Sequence, residues 1–197
     1  MMKKPKGVYC LEIGEWFGPM RHNHSVEPAL ELLARSPGKV PYLHRDIATE
    51  SEFRFYLSKW TQSQQKGYPL LYLAFHGSPG AIELRKENGR GLSFPIEELF
   101  SAVEGGCDRK IIHFGACSTI KIHSRIASRY LRQSGALAIT GFSEAVDWTE
   151  AACFEMLFFN ALQRCHMTPK GMIKLREELK DLAGGLMKHL GFTMRIA

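Results

Sequence analysis

Short apolar runs alternate with longer amphipathic segments along this chain. The runs occupy residues 8–13, 42–47, 70–75, 111–114 and 137–140. They have the length of buried strands, and the segments between them repeat apolar residues at helical spacing. Strands that alternate with helices are typical of a parallel sheet covered by helices, so the pattern predicts an α/β protein.

Local signals mark where several helices begin. Thr49 and Glu52 predict a capping box at one helix N-terminus, and Pro95 predicts the first turn of another helix. A stripe of apolar residues after Cys117 predicts a third helix, which is expected to start at Ser118. Each of these helices has one apolar face, as a helix packed on a sheet requires.

The remaining segments also carry secondary-structure signals, and together the segments predict one domain. Residues 81–94 alternate in polarity around Asn88-Gly89, a strong turn pair, which predicts a small β-hairpin after the third strand. Helices are predicted over residues 149–162 and 168–182, and residues 191–197 are predicted to form a short last strand. The chain has no internal repeat or linker, and 197 residues suit one core, so residues 1–197 are predicted to form one domain.

Composition narrows the class of protein. The chain is 45% hydrophobic and 23% charged, which is typical of soluble globular proteins. No apolar run approaches the roughly 20 residues of a membrane helix, and the first apolar run is too short for a secretory signal, so we expect a cytosolic protein. Five cysteines are an odd number without regular spacing, which predicts reduced thiols.

The distribution of charge argues against several partners. The formal net charge is +6 at pH 7, but lysines and arginines are scattered among glutamates, so no basic stripe forms. We therefore expect neither a nucleic-acid nor a membrane partner. The sequence lacks Cys-x-x-Cys and His-Glu-x-x-His patterns, so no metal site is expected, and no cofactor is implied.

Two predicted strands end in residues that suit covalent catalysis. His76-Gly77 follows the third apolar run, and Cys117 follows the fourth. Neighbouring parallel strands lie about 4.8 Å apart, and reacting groups collect at their carboxyl ends, so His76 and Cys117 are predicted to be close. Cys117 could then attack a carbonyl as a thiolate, with His76 as general acid and base. The N–H groups of Gly77 and Cys117 could bind the oxyanion, and a helix starting at Ser118 would stabilise the thiolate.

The motifs LAFHG and FGACST, each at the end of an apolar strand, resemble those of the caspase-like cysteine peptidases, a group that includes caspases, metacaspases and CHAT domains. The order of strands and helices is similar to that fold over about residues 7–162. The resemblance implies a three-layer caspase-like fold with a mostly parallel central sheet, helices on both faces and a small β-hairpin after the third strand.

The same resemblance implies an activity. The expected function is a cysteine endopeptidase that hydrolyses a polypeptide substrate through an acyl-enzyme, with His76 and Cys117 as the dyad. The connection between the predicted Cys117 helix and the next strand is too short to hold a maturation cleavage site, so a single-chain enzyme is expected. Regulation by an activating protein partner or by homo-oligomerisation is also implied.

The chain departs from caspases at the position two residues before the nucleophile. Caspases have glutamine there, whereas this sequence has Gly115, so a preference for aspartate at P1 is not expected. The resemblance places the specificity pocket in the loops after the first and fifth strands and in the residues around the nucleophile. Acids outnumber the single arginine in those loops, which favours a basic P1 residue, and an aromatic residue could form a wall. These candidate substrate-binding residues are Glu12, Glu15, Arg21, Glu144, Asp147 and Trp148.

Two other functions stay open at this point. The first is a catalytically silent caspase-like scaffold, which an unreactive Cys117 would indicate. The second is an α/β-hydrolase-type cysteine hydrolase, because residues 76–80 also resemble an oxyanion loop of that fold. That enzyme would need His166 or His189 as its base, and a glycine where the sequence has Thr119.

The remaining cysteines and one histidine are interpreted as structural. Burial is the usual state of a free cysteine, and a histidine inside a strand is usually a hydrogen-bonded core imidazole. These residues are Cys10, Cys107, Cys153, Cys165 and His113.

Overall fold

The computed structural model describes residues 4–13 and 24–197 of the chain. The strands are β1 Val8–Glu12, β2 Tyr42–Asp46, β3 Leu70–Ala74, β4 Gly77–Ser78, β5 Ala81–Arg85, β6 Gly91–Pro95, β7 Ile111–Phe114, β8 Ala138–Phe142 and β9 Phe192–Ile196. The helices are α1 Glu27–Arg35, α2 Glu50–Thr61, α3 Ile96–Ala102, α4 Ser124–Ser134, α5 Trp148–Leu162 and α6 Pro169–His189.

The central sheet has six strands in the order β2-β1-β3-β7-β8-β9. All neighbouring pairs from β2 to β8 are parallel, and β9 runs antiparallel to β8. This confirms the predicted α/β class, the mostly parallel sheet and the short last strand. Strand order reverses at β1, so the carboxyl ends of β1 and β3 form the edge where open sheets of this kind bind ligands.

Helices cover both faces of this sheet because successive strand residues point to opposite sides. Tyr72 packs with the buried residues of α1, α5 and α6, whereas Leu71 and Leu73 pack with those of α2, α3 and α4. The strands β1 and β3 are buried along their whole length, as their continuous apolar runs predict.

A second, three-stranded sheet of order β4-β5-β6 follows β3. The pair β5–β6 is the predicted hairpin, with Gly89 in the left-handed region at φ 78°. Strand β4, a two-residue strand directly after His76, was not predicted. It turns tightly into β5 through Gly80, which also has a φ of 78°.

Most helix predictions are confirmed. Thr49 and Glu52 form the capping box of α2, and Pro95 stands at the N-cap of α3. The helix predicted to end near residue 182 continues to His189, with non-helical backbone at Ala183. Helix α1 was not predicted. Within the described part of the chain, no helix is long and apolar enough to cross a membrane.

The predicted start of the helix after Cys117 is wrong. Helix α4 begins at Ser124, with the His123 side chain accepting a hydrogen bond from the N–H of Arg125 at 3.3 Å. Ser118 has a φ of 53°, which a right-handed helix cannot contain. The N-terminus of α4 is therefore not at the sulfur of Cys117, and the helix dipole expected to stabilise a thiolate there is absent from that position.

Candidate active site

His76 and Cys117 extend from adjacent parallel strands. The register pairs Leu73 of β3 with Phe114 of β7, so the two strands end at nearly the same level. Both side chains line one cavity of about 170 Å³ at the carboxyl edge of the sheet. The structure thus brings together the two residues that the sequence singled out as catalytic. The lining residues are Val26, Tyr72, Phe75, His76, Gly115, Cys117, Val146, Trp148, Ala151 and Glu155.

The backbone after His76 packs directly against the Cys117 loop, which comprises residues 115–123. A Cβ added to Gly77 would lie 2.9 Å from the carbonyl oxygen of Cys117 and 2.0 Å from Oγ1 of Thr119. The buried Thr119 hydroxyl lies 3.3 Å from the carbonyl oxygens of both Ala81 and Cys117, to either of which it can donate. Only glycine fits at position 77, because any side chain would push the two loops apart.

The sulfur of Cys117 is half-buried and has polar contacts. The N–H of Val146 points at Sγ from 3.5 Å, and the same residue's carbonyl oxygen lies 3.9 Å away. The Val146 N–H is therefore placed to donate a hydrogen bond to the sulfur. Ser118 follows in its left-handed conformation, and its N–H donates to the Glu144 carbonyl at 3.0 Å. That conformation costs about 1 kcal/mol for a residue with a Cβ, so neighbouring contacts must hold it.

The orientation of Gly77 is compatible with its predicted oxyanion role. The N–H of Glu83 donates to the carbonyl of His76 at 2.8 Å, and β4 pairs antiparallel with β5. His76 and Glu83 are therefore a hydrogen-bonded pair of this ladder. Such pairs alternate with non-hydrogen-bonded ones, so the next pair, Gly77 and Ile82, is not hydrogen-bonded. The N–H of Gly77 is therefore directed away from β5. Its use as an oxyanion donor, like that of the Cys117 N–H, stays a prediction.

The residues that line the cavity include a buried carboxylate that was not among the predicted site residues. Glu155 is 3% exposed and lies on α5. One of its oxygens accepts a hydrogen bond from the Tyr72 hydroxyl, and the other lies 2.9 Å from Nε2 of His113. Nδ1 of His113 is 2.9 Å from the hydroxyl of Thr140, so the buried imidazole predicted at His113 is confirmed.

Charge and burial keep the phenol of Tyr72 protonated. Burial raises the pKa of Tyr72 well above its ordinary value, and the negative charge of Glu155 raises it further. Tyr72 is therefore a permanent donor to this carboxylate. Among the residues that the structure describes, no lysine or arginine forms an ion pair with Glu155.

Glycine at position 115 makes room for this carboxylate. A Cβ on Gly115 would lie 2.5 Å from the Tyr72 ring and 2.7 Å from Oε1 of Glu155. The space that a side chain at position 115 would need is therefore occupied by the ring of Tyr72 and the carboxylate of Glu155.

The predicted substrate-binding residues have different positions. Trp148 lines the cavity, and its indole N–H is buried without an acceptor among the described residues. The exposed Asp147 caps α5, accepting from the N–H groups of Thr149 and Glu150 at 2.9 and 3.0 Å. The exposed Glu144 lies 3.6 Å from Lys121. Neither Glu144 nor Asp147 is among the residues that line the cavity.

Glu12 has a structural role that the sequence analysis missed. It is 1% exposed and accepts hydrogen bonds from the Ser25 hydroxyl at 2.6 Å and the Val26 N–H at 2.8 Å. Nε2 of His44 lies 2.7 Å from the same carboxylate. Glu12 thus fixes the start of α1 beside the cavity. The predicted substrate-binding residues Glu15 and Arg21 lie outside the described residues.

The other cysteines differ from one another in exposure. Cys10, Cys107 and Cys165 are buried as predicted, but Cys153 is exposed, so its predicted place in the core is wrong. Its position on α5 points away from the sheet, whereas Phe154 and Glu155 point towards it. Burial raises the pKa of Cys107 to about 12, although the charge of Lys110 acts in the opposite direction.

A signal for Glu155 was present in the sequence. Buried residues of α5 recur at helical spacing through Ala151, Phe154 and Phe158, and Glu155 falls on the same face. A charged residue on the apolar face of a helix is rarely buried without a specific partner. Its partner Tyr72 is on β3, so only the folded chain shows that the two meet beside Cys117.

Among the described residues, no cluster of three or more histidine, cysteine, aspartate or glutamate side chains could hold a metal ion.

Comparison with known proteins identifies a family. No curated protein matches the chain. The sequence profile of one family, described as "Family of unknown function (DUF6642)", matches residues 5–195. Because this match covers nearly the whole sequence, the chain belongs to the DUF6642 family.

Proposed function

We propose that this protein is a cysteine endopeptidase of caspase-like fold, in which Cys117 is the nucleophile and His76 the general acid and base. One observation carries the proposal: the two side chains line the same cavity at the carboxyl ends of the paired strands β3 and β7. A histidine and a half-buried cysteine in such a cavity can perform acyl transfer. The parallel sheet, the helices on both faces and the small sheet after β3 support the caspase-like assignment.

The proposed reaction has two steps. The Cys117 thiolate attacks the scissile carbonyl carbon, a C–S bond forms, and the C–N bond breaks as His76 donates a proton to the leaving amine. Water then attacks the thioester while His76 accepts its proton. The C–S bond then breaks, the carboxylic acid leaves, and the Cys117 thiolate is restored beside a protonated His76. The N–H groups of Gly77 and Cys117 stabilise the negative oxygen in both steps.

The arrangement supports an α/β-hydrolase mechanism less well. That mechanism needs a second histidine near the nucleophile, and neither His166 nor His189 lines the cavity. His189 lies 3.0 Å from Glu150 at an exposed position instead. The helix after the nucleophile also begins only at Ser124, whereas a nucleophile elbow leads directly into a helix.

The rate of alkylation at each cysteine tests whether Cys117 is the nucleophile. Cys153 is exposed and Cys117 is only half-buried, so accessibility alone would make Cys153 the faster thiol. We expect native protein at pH 7 to react with iodoacetamide at least about 10-fold faster at Cys117, because His76 and the Val146 N–H favour its thiolate. Peptide mass spectrometry over a time course measures both rates in one sample. The thiols of Cys10 and Cys107 should stay unmodified, since burial raises the pKa of both.

Two variants complete this test. His76→Ala should slow Cys117 to the rate of Cys153 or below. His189→Ala removes an exposed histidine that does not line the cavity and should leave the ratio unchanged. Cys117→Ser should abolish cleavage of peptide substrates. If Cys117 is no faster than Cys153, or is indifferent to His76, the peptidase proposal fails and the silent scaffold is the better explanation.

A further inference from the structure

The cavity beside Cys117 combines apolar walls with one buried carboxylate. Phe75, Val146, Trp148 and Ala151 supply apolar surface, and Glu155 supplies the acid. Its volume of about 170 Å³ is below the roughly 300–1,000 Å³ of typical small-molecule sites. The cavity is therefore of a size to take a single side chain.

Among the described residues, the carboxylate of Glu155 forms no ion pair with a lysine or an arginine, and the ionisable group in contact with it is the imidazole of His113. Tyr72 donates to one oxygen and His113 contacts the other, and each oxygen retains capacity to accept a further hydrogen bond. Both partners also hold the carboxylate in one orientation, so little entropy is lost when a donor binds. A buried carboxylate that faces a cavity attracts a cation strongly because little water screens it.

The position of Gly115 connects this carboxylate to the nucleophile. Gly115 stands two residues before Cys117, and its missing side chain is what allows Tyr72 and Glu155 to approach the loop. Trp148 adds an aromatic wall, which can contact a guanidinium or ammonium group favourably. Long aliphatic stems suit the apolar walls, and a cationic end suits the acid.

We propose that this cavity is the P1 pocket of the enzyme and that Glu155 selects substrates with arginine or lysine at P1. This inference rests on the proposed peptidase function, since it names the substrate of the same site. It assigns recognition to Glu155 on α5 and not to the exposed acids Glu144 and Asp147 of the preceding loop.

The test compares matched fluorogenic peptides that differ only at P1. Citrulline is the neutral counterpart of arginine, and norleucine is that of lysine. We expect kcat/KM to be about 100-fold higher for arginine than for citrulline, because the charged pair forms in a buried site. In Glu155→Gln this ratio should fall to within about 5-fold, whereas in Glu144→Gln it should stay near the wild-type value. A general loss of folding or activity would lower kcat/KM for both substrates by the same factor, so the ratio would not change.

A second measurement needs neither turnover nor a variant. Benzamidine, an arginine mimic, should protect Cys117 of the wild-type protein from iodoacetamide while the exposed Cys153 reacts at an unchanged rate. Benzamide, which is neutral and of similar shape, should give at least about 10-fold weaker protection, since only the cation pairs with the carboxylate.

The outcomes separate the two proposals. Cleavage without preference for arginine over citrulline, or a preference that survives in folded Glu155→Gln, overturns the P1 assignment and leaves the peptidase standing. If no peptide is cleaved and Cys117 is unreactive, the peptidase fails. If benzamidine does not protect Cys117, or protects it no better than benzamide, the proposed pocket for a cationic side chain is overturned. This result counts even if the Glu155→Gln variant does not fold.

Discussion

Gly115 shows how one missing side chain shapes the candidate site. An added Cβ would lie within 2.7 Å of both Tyr72 and the carboxylate of Glu155, closer than such atoms approach. Tyr72 is on a central strand and Glu155 is held by two hydrogen bonds, so neither can move away easily. The glycine is required by packing, and this packing is also what gives the cavity its acid.

Gly115→Ala should therefore destabilise the fold and disturb the cavity. We expect a loss of about 1–3 kcal/mol in the free energy of unfolding, as for overpacked cores, measured by urea denaturation. Gly67→Ala is the matched control, because nothing lies within 4 Å of its added Cβ and its φ is not positive. A loss for Gly115→Ala no larger than that for Gly67→Ala would contradict this account.

At the scale of elements, the candidate site is positioned by hydrogen bonds between loops and not by the N-terminus of a helix. The Cys117 loop contacts the start of β5 through Thr119 and the loop after β8 through Ser118. Helix α4 begins too far along the chain to act on the sulfur. In the proposed enzyme, activation of the Cys117 thiol is therefore assigned to His76 and to the Val146 N–H.

The capping box of α2 provides an independent test of the local sequence signals. Thr49 accepts from the Glu52 N–H, and the Glu52 side chain accepts from the Thr49 N–H. Thr49→Ala should cost about 1 kcal/mol in unfolding free energy, whereas Thr49→Ser keeps the cap and should cost less than half as much. Urea denaturation measures both. Since α2 supplies no lining residue of the cavity, the reactivity of Cys117 should not change, and a drop in that reactivity would show unexpected coupling.

The elements differ in how far their sequence determines them. Strands β3 and β7 were predictable because both faces are buried, which leaves a continuous apolar run. The start of α4 was not, because the apolar stripe gives no sign that Ser118 adopts a left-handed backbone. The meeting of Tyr72 with Glu155 depends on how α5 packs across the sheet, and no local pattern encodes that packing.

For the whole molecule, the pair formed by the buried Glu12 and the half-buried His44 couples stability to pH. Burial tends to lower the pKa of His44, but the hydrogen bond to Glu12 and the charges of Glu12, Glu27 and Asp46 raise it above 6.5. A raised histidine pKa contributes stability that is complete below about pH 6.5 and is lost as pH rises through the folded-state pKa. The fold should therefore gain less from this pair in alkaline solution.

His44→Gln should reveal this dependence. We expect the loss of stability, relative to wild type, to be larger at pH 5.5 than at pH 9, measured from urea midpoints at the two pH values. His189→Gln breaks an exposed pair with Glu150 and should have little effect at either pH. An equal loss for His44→Gln at both values would show that the imidazole is neutral in the folded protein.

The residues around the cavity come from four separate segments of the chain. His76 and Cys117 follow β3 and β7, whereas Trp148 and Glu155 belong to α5, which follows β8. In the proposed enzyme, bond cleavage and substrate choice are thus encoded by different segments. Natural selection can then change the substrate specificity of such an enzyme by substitutions on one helix, without altering His76 or Cys117. Relatives that share the histidine and cysteine but differ on α5 would then be expected to cut different sequences.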